Sequence, residues 1–232
     1  MEGRLCIIPA RGGSKRIPGK NIREFCGRPI ISYSIEAATK AGCFDEVMIS
    51  TDSEEIAEVG RQCGASVPFM RSAENSSDHA TTAAVWQEVI RTYRAIGRDF
   101  SIVCSVMPTA PFVTPERLRE AVARLESHPA WDALIPVVEF APPIQRAMKI
   151  VDGALQMIWP EHASTRSQDL EPVYHDAAQF YLFRAAYALT VKSIREGTAG
   201  TMVIPPMAAH DIDSLDDWAL AEMKFRMLQS AP

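Results

Sequence analysis

The chain has no apolar run long enough to span a bilayer. Its N-terminus enters a strand pattern at once, which we read as the absence of a secretory leader. C-x-x-C spacing is missing too. The five cysteines (Cys6, Cys26, Cys43, Cys63, Cys104) are scattered and odd in number, which suits a reducing cytoplasm. Cys6 and Cys104 fall inside apolar runs and read as small core residues. An excess of positive charge is also absent: the net charge is −5, which argues against a nucleic-acid surface. No internal repeat, low-complexity segment or interdomain linker is evident, so residues 1–232 read as one domain. There is no G-x-S-x-G motif and no evident Cys/His pair, and so no marked enzyme nucleophile.

What the chain does have is 47% hydrophobic residues, enough for a substantial core. Short apolar runs predict strands at Leu5–Ala10, Glu46–Ser50, Ser101–Val106 and Ala133–Val138. Helical periodicity lies between them: Ile31, Ile35, Ala38; then Trp86, Val89, Ile90, Tyr93; then Leu118, Val122, Leu125 behind a Thr114-Pro115 start. This alternation predicts an α/β fold with a doubly wound, mostly parallel sheet. Residues 139–176 break the rhythm with Pro142, Pro143, Pro160 and Pro172, and read as an inserted ribbon or excursion. The rhythm returns with a strand at Gln179–Phe183, a helix near Ala185–Arg195, a strand at Met202–Pro205 and a last helix from Ser214.

The most informative segment is Ile8-Pro9-Ala10-Arg11-Gly12-Gly13-Ser14-Lys15-Arg16-Ile17-Pro18-Gly19-Lys20-Asn21. It sets four cations among three glycines after a strand, at the carboxyl ends of the strands where such folds bind ligands. Arg11, Lys15 and Lys20 are suited to neutralise a triphosphate, Gly12 and Gly13 let the backbone approach, and Ser14 can donate a hydrogen bond. The alternative is a surface turn that happens to be basic, but like charges crowded in one turn repel without an anion. It is not a Walker A loop: Gly13 lies six positions before Gly19, and Asn21 stands where Ser or Thr would bind a metal.

This loop resembles the signature of the sugar cytidylyltransferases that make CMP-sialic acids. Gly27-Arg28-Pro29-Ile30, Ser50-Thr51-Asp52, Pro68-Phe69-Met70-Arg71, Asp78 with Thr81, Pro108-Thr109-Ala110-Pro111, and Asp211-Ile212-Asp213 with Asp217 follow in that family's order. The resemblance covers essentially the whole chain. Ile144-Gln145-Arg146-Ala147, Arg166-Ser167-Gln168-Asp169-Leu170 and His175-Asp176-Ala177-Ala178-Gln179-Phe180-Tyr181 are similar to the branch that activates pseudaminic acid, a nine-carbon sugar acid. Met107 and Ala110 stand where many members have Gln and Ser, and Ala178, Leu182 and Phe183 depart from the branch pattern.

The resemblance implies a Rossmann-like nucleotide-diphospho-sugar transferase fold in which residues 139–176 serve a homodimer and sugar contacts. It implies transfer of CMP from CTP to the anomeric hydroxyl of a nonulosonic acid, with release of pyrophosphate and direct attack on the α-phosphorus. N-acetylneuraminate and 3-deoxy-manno-octulosonate are alternative acceptors, and a silent nucleotide-binding paralogue is the alternative from another class. Arg11, Lys20 and Asp211 would be catalytic. Ala10, Arg11, Gly12, Gly13, Ser14, Lys15, Lys20, Asn21, Asp52, Arg71, Asp78, Thr81, Pro108 and Thr109 would bind the nucleotide. Asp211 and Asp213, at alternate positions of an extended segment, would bind Mg²⁺. Gln145, Arg146, Arg166, Gln168, His175, Asp176 and Gln179 would bind the sugar. Plainer roles stay open for some of these. Asp52 could cap a helix, Asp217 could belong to a capping box with Ser214, Arg71 could lie hydrated on the surface, and Pro108-Thr109 could be a rigid turn.

Overall fold

The computed structural model describes residues 3–230. The elements run in chain order as β1 (Gly3–Pro9), β2 (Glu24–Phe25), β3 (Arg28–Pro29), α1 (Ile30–Ala41), β4 (Glu46–Ser50), α2 (Glu54–Gln62), α3 (Thr82–Ala95), β5 (Phe100–Val106) and α4 (Pro115–Ser127). They continue as β6 (Ala133–Glu139), β7 (Met148–Val151), β8 (Ala154–Met157), β9 (Tyr174–Asp176), β10 (Phe180–Arg184), α5 (Ala185–Ala188), β11 (Ala199–Val203) and α6 (Leu215–Gln229). The central sheet has the order β11-β6-β10-β5-β1-β4, with β9 also paired to β6.

The predicted helical faces are the buried faces. Ile31, Ile35 and Ala38 of α1 and Leu118, Val122 and Leu125 of α4 pack with Cys6, Ile8 and Cys104 on one side of the sheet. Trp86, Val89, Ile90 and Tyr93 of α3 pack with Leu5, Ile7 and Phe183 on the other. A third cluster closes one end of the molecule and joins Ile17, Phe25, Ile30, Phe112, Ile212 and Trp218.

Five of the seven strands (β1, β4, β5, β6 and β11) share one direction, so the sheet is mostly parallel as expected, with β9 and β10 reversed. β1 runs parallel to β4 and β5, and β6 runs parallel to β11. β10 is antiparallel to both β5 and β6, and β9 is antiparallel to β6. Topology explains this: the chain leaves the sheet at the end of β6 and its excursion re-enters along β6 itself, so the returning strand runs backwards. The register jumps between β9 and β10, from Val137↔Asp176 to Leu134↔Leu182. The residues between form a bulge in which Ala178 has φ +53°, a left-handed conformation.

The helix expected near Ala185–Arg195 ends at Ala188. Gln87 of α3 donates to the carbonyls of Ala188 (3.0 Å) and Val191 (2.8 Å), drawing the chain off as a turn. The last strand lies at Ala199–Val203, a few residues before the expected Met202–Pro205. The excursion is a β7–β8 hairpin with short 3₁₀ turns around it.

Candidate active site

The basic loop starts where β1 ends. The Ala10 N–H bonds the Ser50 carbonyl (2.9 Å) and extends the pairing with β4 by one residue. Gly12 N–H donates to Asp52 Oδ1 at 2.8 Å. A Cβ on Gly12 would meet the Cβ of Ser53 at 3.2 Å, so a side chain there would make Ser53 give by a few tenths of an ångström, whereas Gly13 faces open space. The buried Asn21 donates from Nδ2 to the Arg11 carbonyl (2.9 Å) and ties the loop's end to its beginning. Asp52 therefore holds the loop, and the capping reading of it fails: the cap of α2 is Ser53, which accepts the Ile56 N–H.

Two buried residues fix where the charges stand. Ile17, inside the basic loop, and Ile212, between the two aspartates, are both fully buried in the same apolar cluster. With Ile212 inward, Asp211 and Asp213 flank it at the surface, beside the loop. Arg16 pairs with Asp213 Oδ1 at 2.7 Å, and Lys20 Nζ approaches the same oxygen to 3.7 Å. On the loop's other side, Arg11 (2.8 Å) and Lys15 both pair with Asp78. Hydrogen bonds from Lys15 and then Arg11 hold the Asp78 carboxyl below the ordinary range. Burial pushes the Asp211 carboxyl up, and the Asp213 charge adds to this, while Lys20 and Arg16 oppose it.

The aspartate segment is clamped from three directions. Gln179 Nε2 donates to the Ala208 carbonyl at 2.6 Å. Lys224 Nζ on α6 reaches the carbonyls of Pro206 (3.1 Å) and Ala209 (3.2 Å). Asp217 accepts the N–H groups of Asp213 (3.1 Å) and Ser214 (2.8 Å) in a full capping box. Asp217 is thus a cap. Gln179, expected to meet the sugar, is 1% exposed; its Nε2 holds the aspartate turn, while its Oε1 is buried without a partner in the protein. Arg71 is not hydrated on the surface. It is buried and donates to the side chain and carbonyl of Ser50, and burial above all lowers its pKa. Thr81 caps α3 by accepting the Ala84 N–H at 3.1 Å. Pro108 and Thr109 are buried in the turn after β5, next to Met107, whose N–H donates to the Gln179 carbonyl at 2.8 Å.

The remaining sugar candidates fall into two groups. Gln145, Arg146, Arg166 and Gln168 lie on the excursion. Gln145 donates to the Glu171 carbonyl (2.9 Å), Arg146 to the Thr165 carbonyl (2.9 Å), and Arg166 makes two bonds to Asp169 (2.7 and 3.0 Å). Gln168 borders a shallow cavity of about 320 Å³ with Phe140 and Pro143. His175 is exposed and sets its ring edge-on to Phe140 at 4.8 Å. Asp176, by contrast, faces the sheet: it accepts from Tyr181 Oη (3.0 Å), Arg195 (2.9 Å) and the Ala178 N–H (2.8 Å). Burial first, and then Asp176, raise the Tyr181 phenol above its ordinary range. Tyr181 stood within the quoted His175–Tyr181 run without being assigned a role. Lys192, Arg195 and Lys224 carried no local motif, and only the tertiary fold brings them in.

Among the described residues no three His, Cys, Asp or Glu side chains gather as a metal-binding group. Two carboxylates and the phosphate oxygens of a substrate are a donor set that suits magnesium, which seldom takes an all-protein cage. The arrangement sets glycines and cations on one wall and two carboxylates on the other, at the carboxyl ends of parallel strands, and has the chemistry to receive a polyphosphate.

A family model described as cytidylyltransferase matches residues 5–193. The chain belongs to the cytidylyltransferase family and is a nucleotidyltransferase. It is 39% identical over 224 residues to a pseudaminic acid cytidylyltransferase of Campylobacter jejuni, covering 96% of each chain. It is 33% identical to a CMP-N,N'-diacetyllegionaminic acid synthase of Legionella pneumophila, covering 98% of each. In fold it is similar to a CMP:2-keto-3-deoxy-manno-octonic acid synthetase complexed with CTP, with a TM-score of 0.71 at 17% identity, covering 99% of this chain and 100% of that one.

Proposed function

We propose that the protein transfers CMP from CTP to the anomeric hydroxyl of a nonulosonic acid, pseudaminic acid first among them, and releases pyrophosphate. The observation that carries this reading is the approach of Arg16 and Lys20 to Asp213, at 2.7 and 3.7 Å, because one triphosphate can then touch both walls. The near-full-length likeness to enzymes named for pseudaminic and legionaminic acids supports the acceptor class.

The bond that forms joins the anomeric oxygen to the α-phosphorus, and the bond that breaks is the α–β anhydride. Arg11, Lys15 and Lys20 offset the charge that gathers on the leaving pyrophosphate, which is the main device open to a site without an enzyme nucleophile. The loop cations are already paired with Asp78 and Asp213, and exposed ion pairs are worth only ~0–1 kcal/mol each, so a polyphosphate displaces them at little cost. Asp211 and Asp213 would hold Mg²⁺, which as a bound ion screens the phosphate charge and orients the phosphates. Asp52 and Asn21 keep the loop in shape, and Arg71 braces Ser50 at the end of β4 beside it.

Gln145, Arg146, Arg166, Gln168 and His175 reach the sugar from the excursion, and Asp176 from the sheet side. Two copies of the chain meet through the excursion. Met148 and Ile150 of β7 stand opposite Met157 and Leu155 of β8, so one face of this hairpin is apolar, and Ile150 is 75% exposed. A two-stranded hairpin is marginal alone and calls for cover. No helix among the described residues is long and apolar enough to cross a membrane, and all five cysteines are unpaired. We place the reaction in the cytoplasm.

Pyrophosphate release from CTP and Mg²⁺ with a panel of sugar acids tests the proposal. Pseudaminic or legionaminic acid should be turned over faster than 3-deoxy-manno-octulosonate. Asp211→Ala should stay folded and lose its response to magnesium. A wild type that releases no pyrophosphate with any of these acids, or an Asp211→Ala variant with an unchanged magnesium response, would contradict it.

A further inference from the structure

A second cavity, of about 220 Å³, lies between the first turn of α3 and β10. Thr82, Trp86, Asp176 and Tyr181 wall it, with Lys192 and Arg195 closing one side. It is smaller than the ~300–1,000 Å³ of a site for a drug-sized ligand, so it suits one substituent of a larger substrate.

The polar groups around it form a pair. Trp86 is 3% exposed, and its indole N–H is buried with no hydrogen-bond partner in the protein. An indole N–H can only donate, and leaving it unpaired inside a protein is costly. Asp176 can only accept when ionised. It takes bonds from Tyr181, Arg195 and the Ala178 N–H, but two carboxylate oxygens offer about four acceptor positions. One wall therefore lacks an acceptor and the other has acceptor capacity to spare. The chemical group that answers both at once is an amide, whose C=O serves the indole and whose N–H serves the carboxylate. The Trp86 ring, tilted by 34° against Phe183 with centroids 4.5 Å apart, offers apolar surface for an acyl methyl group.

We infer that this cavity receives an acylamino substituent of the sugar acid, held between the Trp86 N–H and the Asp176 carboxylate. The inference rests on the proposed acceptor class and names the group by which the site distinguishes acylated nonulosonic acids from sugar acids that carry only hydroxyls.

The test is steady-state pyrophosphate release by wild type, Trp86→Phe and Asp176→Asn. Trp86→Phe keeps an aromatic ring and removes the N–H together with part of the indole's bulk. Asp176→Asn keeps the shape and is the alternative should the core variant fail to fold. Each should raise KM for an acylated nonulosonic acid about 10-fold, in line with loss of one buried hydrogen bond, while KM for CTP stays unchanged. An unchanged sugar KM in folded variants overturns the inference. So does a rise in the CTP KM equal to that for the sugar, which would give the cavity to the nucleotide. A wild type inactive with every acylated acid would instead remove the acceptor class itself, and is seen before any variant is made.

Discussion

The two ends of the active site are built in opposite ways. At the phosphate end, the polar residues are placed by apolar ones beside them: Ile17 and Ile212 are fully buried, and their charged neighbours Arg16, Asp211 and Asp213 come to the surface together as a result. At the excursion the apolar residues are the exposed ones, with Ile150 at 75% and Leu155 at 68%, and the polar residues are held by carbonyls of the same ribbon. The second end carries an uncovered apolar face. The difference teaches that buried apolar residues hold the charges of the sheet end in place, whereas on our proposal the ribbon end takes its final shape from what covers it.

The largest expected effect lies at the sheet end. Lys20→Ala or Arg11→Ala should lower turnover at saturating CTP by at least about 10²–10³-fold, the usual cost of one charge-stabilising donor. Near-wild-type turnover in either purified variant would break the comparison at its stronger half. A smaller and different effect is expected at the ribbon. Ile150→Asp with Leu155→Asp should convert a dimer to a monomer by light scattering, and should weaken sugar use while CTP binding by calorimetry stays within about 2-fold. A wild type that is already monomeric and fully active would remove the need for a covering copy. The smallest effect belongs to the clamp. Lys224→Met removes the bonds to Pro206 and Ala209 without touching a ligand, and should raise the magnesium concentration for half-maximal rate by no more than ~30-fold, at ~1 kcal/mol for each of the two lost bonds. A change in the CTP or sugar KM alone would show that Lys224 acts elsewhere.

These two ends also differ in how far they could be read from the sequence. The loop residues, the aspartates and strands β1, β4, β5 and β6 were legible because each is a local pattern: an apolar run, glycines and cations after it, or two aspartates at alternate positions around an isoleucine. The capping boxes were legible for the same reason, and Asp217 is one. Asp52 was misread as a possible cap because Ser53, one residue on, competes for the same role. Arg71 could pass for a hydrated surface residue, and Gln179 for a sugar contact at the start of a strand. Their burial follows from long-range partners, Ser50 and Ala208, that no local pattern marks. The reversal of β10 was hidden too, since strand direction is decided by where the excursion returns and not by composition. The cavity between Trp86 and Asp176 depends on segments separated by 90 residues and more, so Trp86 read only as core.

The account's central claim is that the cationic glycine loop and the aspartate pair grip one triphosphate from two sides. A crystal structure of the protein with CTP and Mg²⁺ tests it most directly. The expected result has Arg16 released from Asp213, phosphate oxygens within hydrogen-bonding distance of Arg11 and Lys20, and a metal ion on Asp211 and Asp213 touching the same phosphates. A triphosphate that contacts the loop but lies out of reach of both aspartates, or the reverse, would contradict it.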